Sequence, residues 1–347
     1  MKSWKLWAAA AALACGLGAQ AAPRDNLVVT LSTPAPLLRG DVDVTVQVSI
    51  TNTGRMPVAL ARWELPTERA EAPLFRITRD GQRVAYTGRL IKRAPATEAD
   101  LVRIAPGATL TYSAELTAAY DLSRNGTYAI EYLGKGAGEA APLQTKAALY
   151  VWLEGRSTRT AAPAAASTAA GTGANAASIT FTGNCSATRQ QQLIDAVAAA
   201  TTYANGAVNY FNYSRGATTR YIKWFGTPTR ERWALAKTHY LAIQDAFVSK
   251  PLTLDCSCTQ SYYAYVYPTD PYKIYLCNAF WSAPMLGTDS KAGTLIHEMS
   301  HFDVVAGTDD WAYGQSAAAA LAISNPTNAL NNADNHEYFA ENTPALP

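Results

Sequence analysis

The sequence predicts two units of different class: an N-terminal all-β immunoglobulin-like sandwich over residues 23–155 and a C-terminal α+β unit, mainly helical, over residues 179–347. Three observations carry this. Short alternating runs recur from Asn26 to Leu153, residues 156–178 lose nearly every core-forming side chain, and beyond residue 179 the apolar period lengthens toward 3.6. At 347 residues the chain is too long for one ordinary core and fits two plus a targeting segment.

In the first unit, Asn26-Leu-Val-Val-Thr-Leu31, Val42-Asp-Val-Thr-Val-Gln-Val-Ser-Ile50 and Thr109-Leu-Thr-Tyr-Ser-Ala-Glu-Leu116 alternate in the manner of half-buried strands. Asn52-Thr-Gly54, Asp80-Gly81 and Asn125-Gly126 punctuate them as turns, and strands at this spacing argue a sandwich. No His, Cys or carboxylate cluster appears there, so no chemistry is assigned to this half. It reads as a pro-segment or an accessory unit.

Residues 156–178 collapse to Ala, Ser, Thr, Gly and Pro. Such a segment cannot build a core and reads as a linker open to proteolytic nicking, with a mature N-terminus expected near Ala176 to Thr182. It contains Arg156 and Arg159 but no Lys.

Ahead of the sandwich, Lys2 and Lys5 precede an apolar run from Leu6 to Leu17, and Ala19-Gln20-Ala21 has the small-x-small form of a cleavage site. Residues 1–22 therefore read as a secretory signal, too short to span a bilayer stably. Cys15 lies inside it, but Ala12 stands where a lipoprotein signal usually places Leu, so lipidation is not expected. A soluble, secreted product follows. Its formal net charge of +2 gives no basic excess from which to argue nucleic-acid or membrane binding.

Four further cysteines, Cys185, Cys256, Cys258 and Cys277, all lie in the second unit. In an oxidising compartment an even number implies two disulfides. A Cys256–Cys258 bond would close a small strained ring, which leaves two connectivities. Cys185–Cys256 with Cys258–Cys277 is the favoured one.

Within this unit Thr188 to Tyr210 and Glu231 to Val248 read as packed helices, and Tyr262 to Tyr267 with Lys273 to Cys277 as an antiparallel pair around Pro268-Thr-Asp-Pro271. The tyrosines of that pair either form an edge that accepts an extended peptide or simply reflect the strand preference of Tyr. Another helix opens near Asp289 or Ser290 and runs to Val305.

That helix carries His297-Glu298-Met299-Ser300-His301. Residues four apart share a helix face, so both imidazoles can reach one zinc ion, and Glu298 can deprotonate the water bound to it. A catalytic zinc takes three protein ligands and a water, so one ligand is missing. Gly307 stands six residues after His301, where a metzincin needs His, so that class is excluded. Glu337 or Glu341 would serve a gluzincin; the nearer carboxylates lie in Gly307-Thr308-Asp309-Asp310, where a glycine turn can bring the chain back over the metal.

The paired His-Glu-x-x-His and Gly-Thr-x-Asp motifs, extending through Tyr313-Gly314, resemble the deuterolysin-type, or aspzincin, metalloproteases, and especially their peptidyl-Lys metalloendopeptidase branch. The resemblance covers about Cys185 to the C-terminus and implies a zincin-like metalloprotease fold. It implies one Zn2+ held by His297, His301 and Asp310, Glu298 as base, and Tyr313 as oxyanion donor. It also matches the family's two-disulfide framework. A Tyr packed in the turn with a locally satisfied hydroxyl is the competing reading of Tyr313.

Asp334 and Glu337 correspond to acidic residues that line the pocket for the residue after the scissile bond in the lysine-specific branch, which implies cleavage on the amino side of Lys. Two carboxylates at a pocket floor suit a compact ammonium, although Asp334-x-x-Glu337 also reads as a helix capping box. His336 reads as a surface residue and His239 as structural. From Ile179 onward 10 Lys+Arg face 13 Asp+Glu, a mildly acidic balance suited to a basic substrate. The sequence thus predicts a secreted zinc metalloendopeptidase acting on peptides or proteins, with intramolecular inhibition by the N-terminal unit. The alternatives are a broad deuterolysin-like protease and a non-catalytic exported zinc-containing binding protein.

Overall fold

A computed structural model describes residues 26–67, 71–134, 143–157, 178–214 and 216–347. The expected signal, its Cys15 and most of the expected linker lie outside these. Among the described residues no helix is long and apolar enough to cross a membrane.

The N-terminal half is built of β1 (Leu27–Ser32), β2 (Leu37–Arg39), β3 (Thr45–Asn52), β4 (Val58–Ala61), β5 (Phe75–Arg79), β6 (Gln82–Arg83), β7 (Leu90–Lys92), β8 (Leu101–Ile104), β9 (Thr109–Glu115), β10 (Gly126–Gly134), β11 (Leu143–Gln144) and β12 (Leu149–Glu154). Strands β1, β3 and β9 form one sheet, β2, β12, β10, β5 and β6 run through a second, and β4 pairs with β8. Strict alternation decides which faces meet. Val46, Val48 and Ile50 of β3 and Tyr128, Ile130 and Tyr132 of β10 point into a single shared hydrophobic cluster, while their neighbours face outward.

The C-terminal half adds β13 (Ile179–Thr182), α1 (Ala187–Tyr213), α2 (Thr219–Phe225), α3 (Arg230–Ser249), β14 (Leu252–Asp255), β15 (Ala264–Val266), β16 (Lys273–Leu276), α4 (Asn278–Ser282), α5 (Lys291–His301), α6 (Gln315–Ser324), α7 (Pro326–Leu330) and α8 (Ala333–Glu341). Ser186 caps α1 and Thr229 caps α3, each accepting from an amide three residues on. Leu193, Ala196, Val197, Ala200, Ala204, Ala207, Val208 and Phe211 form the buried stripe of α1, and its alanines let α3 and α5 approach closely.

Two parallel strands escape the sequence reading. β13 pairs with β14 and β14 with β16, all parallel, before β15 turns antiparallel to β16. The fifth strand of this sheet is β7, which leaves the N-terminal half and pairs antiparallel with β15, with Lys92 opposite Ala264. Leu90 joins the C-terminal core cluster accordingly. Disulfides join Cys185 to Cys256 and Cys258 to Cys277, the favoured connectivity.

Helix α5 is buried along all eleven of its residues. It ends at His301, four residues earlier than the periodicity suggests, because the chain reverses there: the Gly307 amide returns to the Phe302 carbonyl with Gly307 at φ 57°. At its other end Ser290 caps Gly293, and Glu341 accepts from both the Ser290 amide and hydroxyl.

His336 is not on the surface. It is fully buried, packed against Phe225 and Tyr240, with His239 Nδ1 3.0 Å from its Nε2. Its Nδ1 lies 3.0 Å from the Asn332 carbonyl and so carries the proton, which makes His239 the donor across the pair. Burial pushes His239 down to about 4 and His336 to about 3, so both stay neutral in the folded chain. A base with a lowered folded pKa leaves the unfolded chain binding more protons below about 6.5, so stability contributed by the pair is present above that pH and lost as pH falls toward about 4. Unfolding measured from pH 7 to pH 4 should show stability falling with pH, and His239→Gln should flatten that slope. An equal slope in the variant would exclude the pair as its source.

Candidate active site

Helix α5 places the His297 and His301 rings 4.8 Å apart at an interplanar angle of 85°. The Thr308 carbonyl, 2.8 Å away, takes the proton of His301 Nδ1, which leaves Nε2 as the open donor atom. The Thr308 amide meets the Ser300 carbonyl, and the two hydroxyls lie 2.6 Å apart. These contacts fold the Gly307 turn back along α5 and deliver Asp310, whose Oδ1 stands 3.1 Å from His297 Nε2 and 3.4 Å from His301 Nε2.

Asn332, just before α8, fixes the far side of this loop. Its Oδ1 accepts from the amides of Trp311 and Ala312, and its Nδ2 donates to the Ala312 carbonyl and to Asn335. Asp309, by contrast, pairs through its backbone with Asn331 and Ala333 and forms no part of the triad.

The three donor atoms are buried, mutually within 4.8 Å, and have no hydrogen-bond partner of ordinary geometry. Buried polar atoms left in this way cost free energy unless something fills the gap between them. Two imidazole nitrogens and a carboxylate oxygen are the donor set of a catalytic metal site with an open position. Burial opposes charge on His297, yet Asp310, Asp334 and Glu337 hold its pKa well above the usual value. The same imidazoles hold Asp310 well below the carboxylate range against its own burial.

Glu298 is fully buried beside the triad, its two oxygens without hydrogen-bond partners. Burial pushes its carboxyl up to about 8, Asp310 adds to the rise, and His297 and Lys92 oppose it. A carboxylate poised to take a proton near neutrality is what general-base work requires.

On the opposite side of His297, Nδ1 lies 2.8 Å from Asp334 Oδ1 and 3.4 Å from Glu337 Oε2, contacts of charge rather than aligned hydrogen bonds. These carboxylates also face a cation: Lys92 Nζ, from β7, lies 2.5 Å from Glu337, 3.3 Å from Asp289 and 3.6 Å from Asp334. The rings of Tyr263 and Tyr338 flank the ammonium at 5.1 and 5.8 Å. Despite full burial, Asp334, Glu337 and Asp289 keep the Lys92 pKa well above its usual value. The group formed by His297, Asp334 and Glu337 could also surround an ion, but its carboxylates are engaged by Lys92.

Comparison with known proteins places this geometry. The family model described as lysine-specific metallo-endopeptidase, an aspzincin, matches residues 210–341. An extracellular protease of Aeromonas hydrophila is 47% identical over 312 residues, covering 87% of this chain and 89% of its own. The chain belongs to the aspzincin metalloendopeptidase family. It is a peptide hydrolase of a class that works with a metal. The peptidyl-Lys metalloendopeptidase of Armillaria mellea is 36% identical, covering 87% of this chain and 88% of its own, and that of Pleurotus ostreatus 52% identical, covering 48% and 99%. A solved zinc peptidase from Grifola frondosa, 46% identical, covers 47% of this aspzincin and all of its own chain at a TM-score of 0.46.

Of the residues singled out from the sequence, His297, Glu298, His301, Asp310, Tyr313, Asp334 and Glu337 come together in this aspzincin. Asp334 is no simple cap: its Oδ2 accepts from the Gly314 amide while Oδ1 faces His297. Glu341 clamps the start of α5 instead of joining the triad. Sequence reasoning missed Asp289, Asn332 and Lys92. Asp289 sits at φ 51° and accepts from Tyr338, a conformation no local motif announces. Lys92 lies in a half that carries no cluster of its own.

Asn332→Ala should loosen the loop that carries Asp310, since two amides lose a buried acceptor at about 1–3 kcal/mol each. Metal affinity, measured by competition with a chelator, is expected to fall about 10–100-fold, as it does when outer partners of metal ligands are removed. Unchanged affinity would mean the loop holds Asp310 without Asn332.

Proposed function

We propose that the chain is a secreted zinc endopeptidase that hydrolyses peptide bonds on the amino side of Lys. The observation that carries this is the fully buried Lys92 ammonium among Asp289, Asp334 and Glu337, directly behind His297. A point cation with three donors fits three converging carboxylates, whereas a planar guanidinium needs width that the flanking Tyr263 and Tyr338 rings deny. The names of the Armillaria mellea and Pleurotus ostreatus relatives agree with this reading.

His297 Nε2, His301 Nε2 and Asp310 Oδ1 would hold the zinc, which supplies Lewis acidity toward the scissile carbonyl and lowers the pKa of water. Glu298 takes a proton from the attacking water and passes it to the leaving amine. The Tyr313 phenol, already donating to a peptide carbonyl at 2.9 Å, stabilises the oxygen as it gains charge. Asp334 holds the His297 ring in place and, with Glu337 and Asp289, recognises the substrate ammonium. Residues 23–155 serve as a pro-segment, joined through the linker at 156–178 to the catalytic unit at 179–347. The disulfides and the extracellular protease relative support export.

Glu298→Gln should abolish proteolysis while zinc still binds. Tyr313→Phe is expected to lower kcat about 100- to 1000-fold with little change in KM. A KM rise at constant kcat would instead mark Tyr313 as a binding residue.

Digestion of a protein mixture, with the residue after each cut read by mass spectrometry, tests the specificity. Lys is expected there, and Glu337→Gln should reduce the preference for Lys about tenfold or more, the scale of one charge-assisted hydrogen bond. Random residues after the cut would leave a broad deuterolysin-like protease as the reading.

A further inference from the structure

Strand β7 lies in the site as a peptide substrate would. Its three residues Leu90, Ile91 and Lys92 are all buried, and among the described residues it pairs with no N-terminal strand, its ladder being the antiparallel pairing with β15. The Tyr263 amide donates to the Lys92 carbonyl, and Ile91 packs with Tyr262 and Tyr265. Arg89 and Arg93, flanking the strand, lie over the rings of Tyr265 and Tyr262. Main-chain pairing with alternate side chains in pockets is how an edge strand binds an extended peptide.

The peptide bond between Ile91 and Lys92 sits among the catalytic groups. Its carbonyl oxygen accepts from Tyr313, and the Ile91 amide donates to Asp310 Oδ2 at 3.1 Å. The Lys92 side chain fills the ammonium pocket. Tyr313, the triad carboxylate and the ammonium pocket thus address three successive points along this one peptide segment.

We propose that Ile91–Lys92 is a self-cleavage site, cut within the same chain by the site it occupies. Water is the co-reactant: the Ile91 C to Lys92 N bond breaks, the hydroxyl joins the Ile91 carbonyl carbon, and the proton goes through Glu298 to the Lys92 nitrogen, leaving a new carboxylate and a new amine. Until the strand leaves, no other peptide reaches the cleft, since His297, Glu298 and His301 are wholly buried beneath it. A bond inside β7 also answers a difficulty in the linker, which offers a lysine-directed enzyme no Lys. The proposal rests on the function proposed above.

The test uses the full chain, prepared with a chelator and then given zinc, with an added Lys-containing peptide as internal control. Mass spectrometry should find a fragment ending at Ile91 and one beginning at Lys92, formed at a rate unchanged by tenfold dilution. Glu298→Gln and Lys92→Met should each abolish them. In the inert Glu298→Gln background, Lys92→Met should also strengthen binding of a labelled Lys peptide at least tenfold, read by fluorescence polarisation. Cleavage of the added peptide with Ile91–Lys92 intact would overturn this inference alone, and a rate proportional to concentration would overturn its intramolecular form. If neither bond is cut, this inference fails, and the Lys92→Met chain, whose pocket is freed, decides the endopeptidase reading separately: that reading fails if this chain also leaves the added peptide intact.

Discussion

Burying a helix that carries two imidazoles and a carboxylate commits the rest of the fold to balancing charge where water cannot help. Five acids, Glu298, Asp310, Asp334, Glu337 and Glu341, lie at or near zero exposure around α5. Unpaired carboxylates in such a place would pick up protons. The outcomes differ: the two histidines hold Asp310 low and Lys92 with His297 hold Asp334 low, whereas at Glu337 and Glu298 burial outweighs the same cation and imidazole and the carboxyls stay high.

Asp334 joins the buried lysine to the triad. One oxygen faces both the His297 imidazole and the Lys92 ammonium, and the other holds the Gly314 amide next to Tyr313. A cation in the pocket therefore acts on the same carboxylate that orients His297, at contact distance and in a dry environment where Coulomb attraction is little screened.

Much of this was legible because local rules suffice for it. Four-residue spacing puts His297 and His301 on one face, and a glycine turn followed by Asp310 completes the triad within a single stretch of 14 residues, numbers 297 to 310. Ring strain removed one cysteine pairing. What stayed hidden depends on long-range meeting. Parallel strands β13 and β14 are four residues each, and neither alternates between a buried and a solvent face. His336 seemed exposed beside two acids, because nothing in its neighbours announces that α8 is buried from Ala333 to Glu341. Lys92 is 197 residues from Asp289 and 245 from Glu337.

Lys92 also explains why a half without any apparent chemistry completes the catalytic half. A lone buried lysine in an all-β unit would be a defect by ordinary packing rules, since an unpaired buried ammonium is costly. Here the strand that bears it departs from its own sheets and adds to another, and the open edge of β15, rich in tyrosine, gains its missing ladder. The two irregularities, a lysine that fits no local core and an edge that invites a strand, cancel only when taken together. A core-forming lysine would be replaceable by methionine at little cost, whereas one held by three carboxylates is there for its charge.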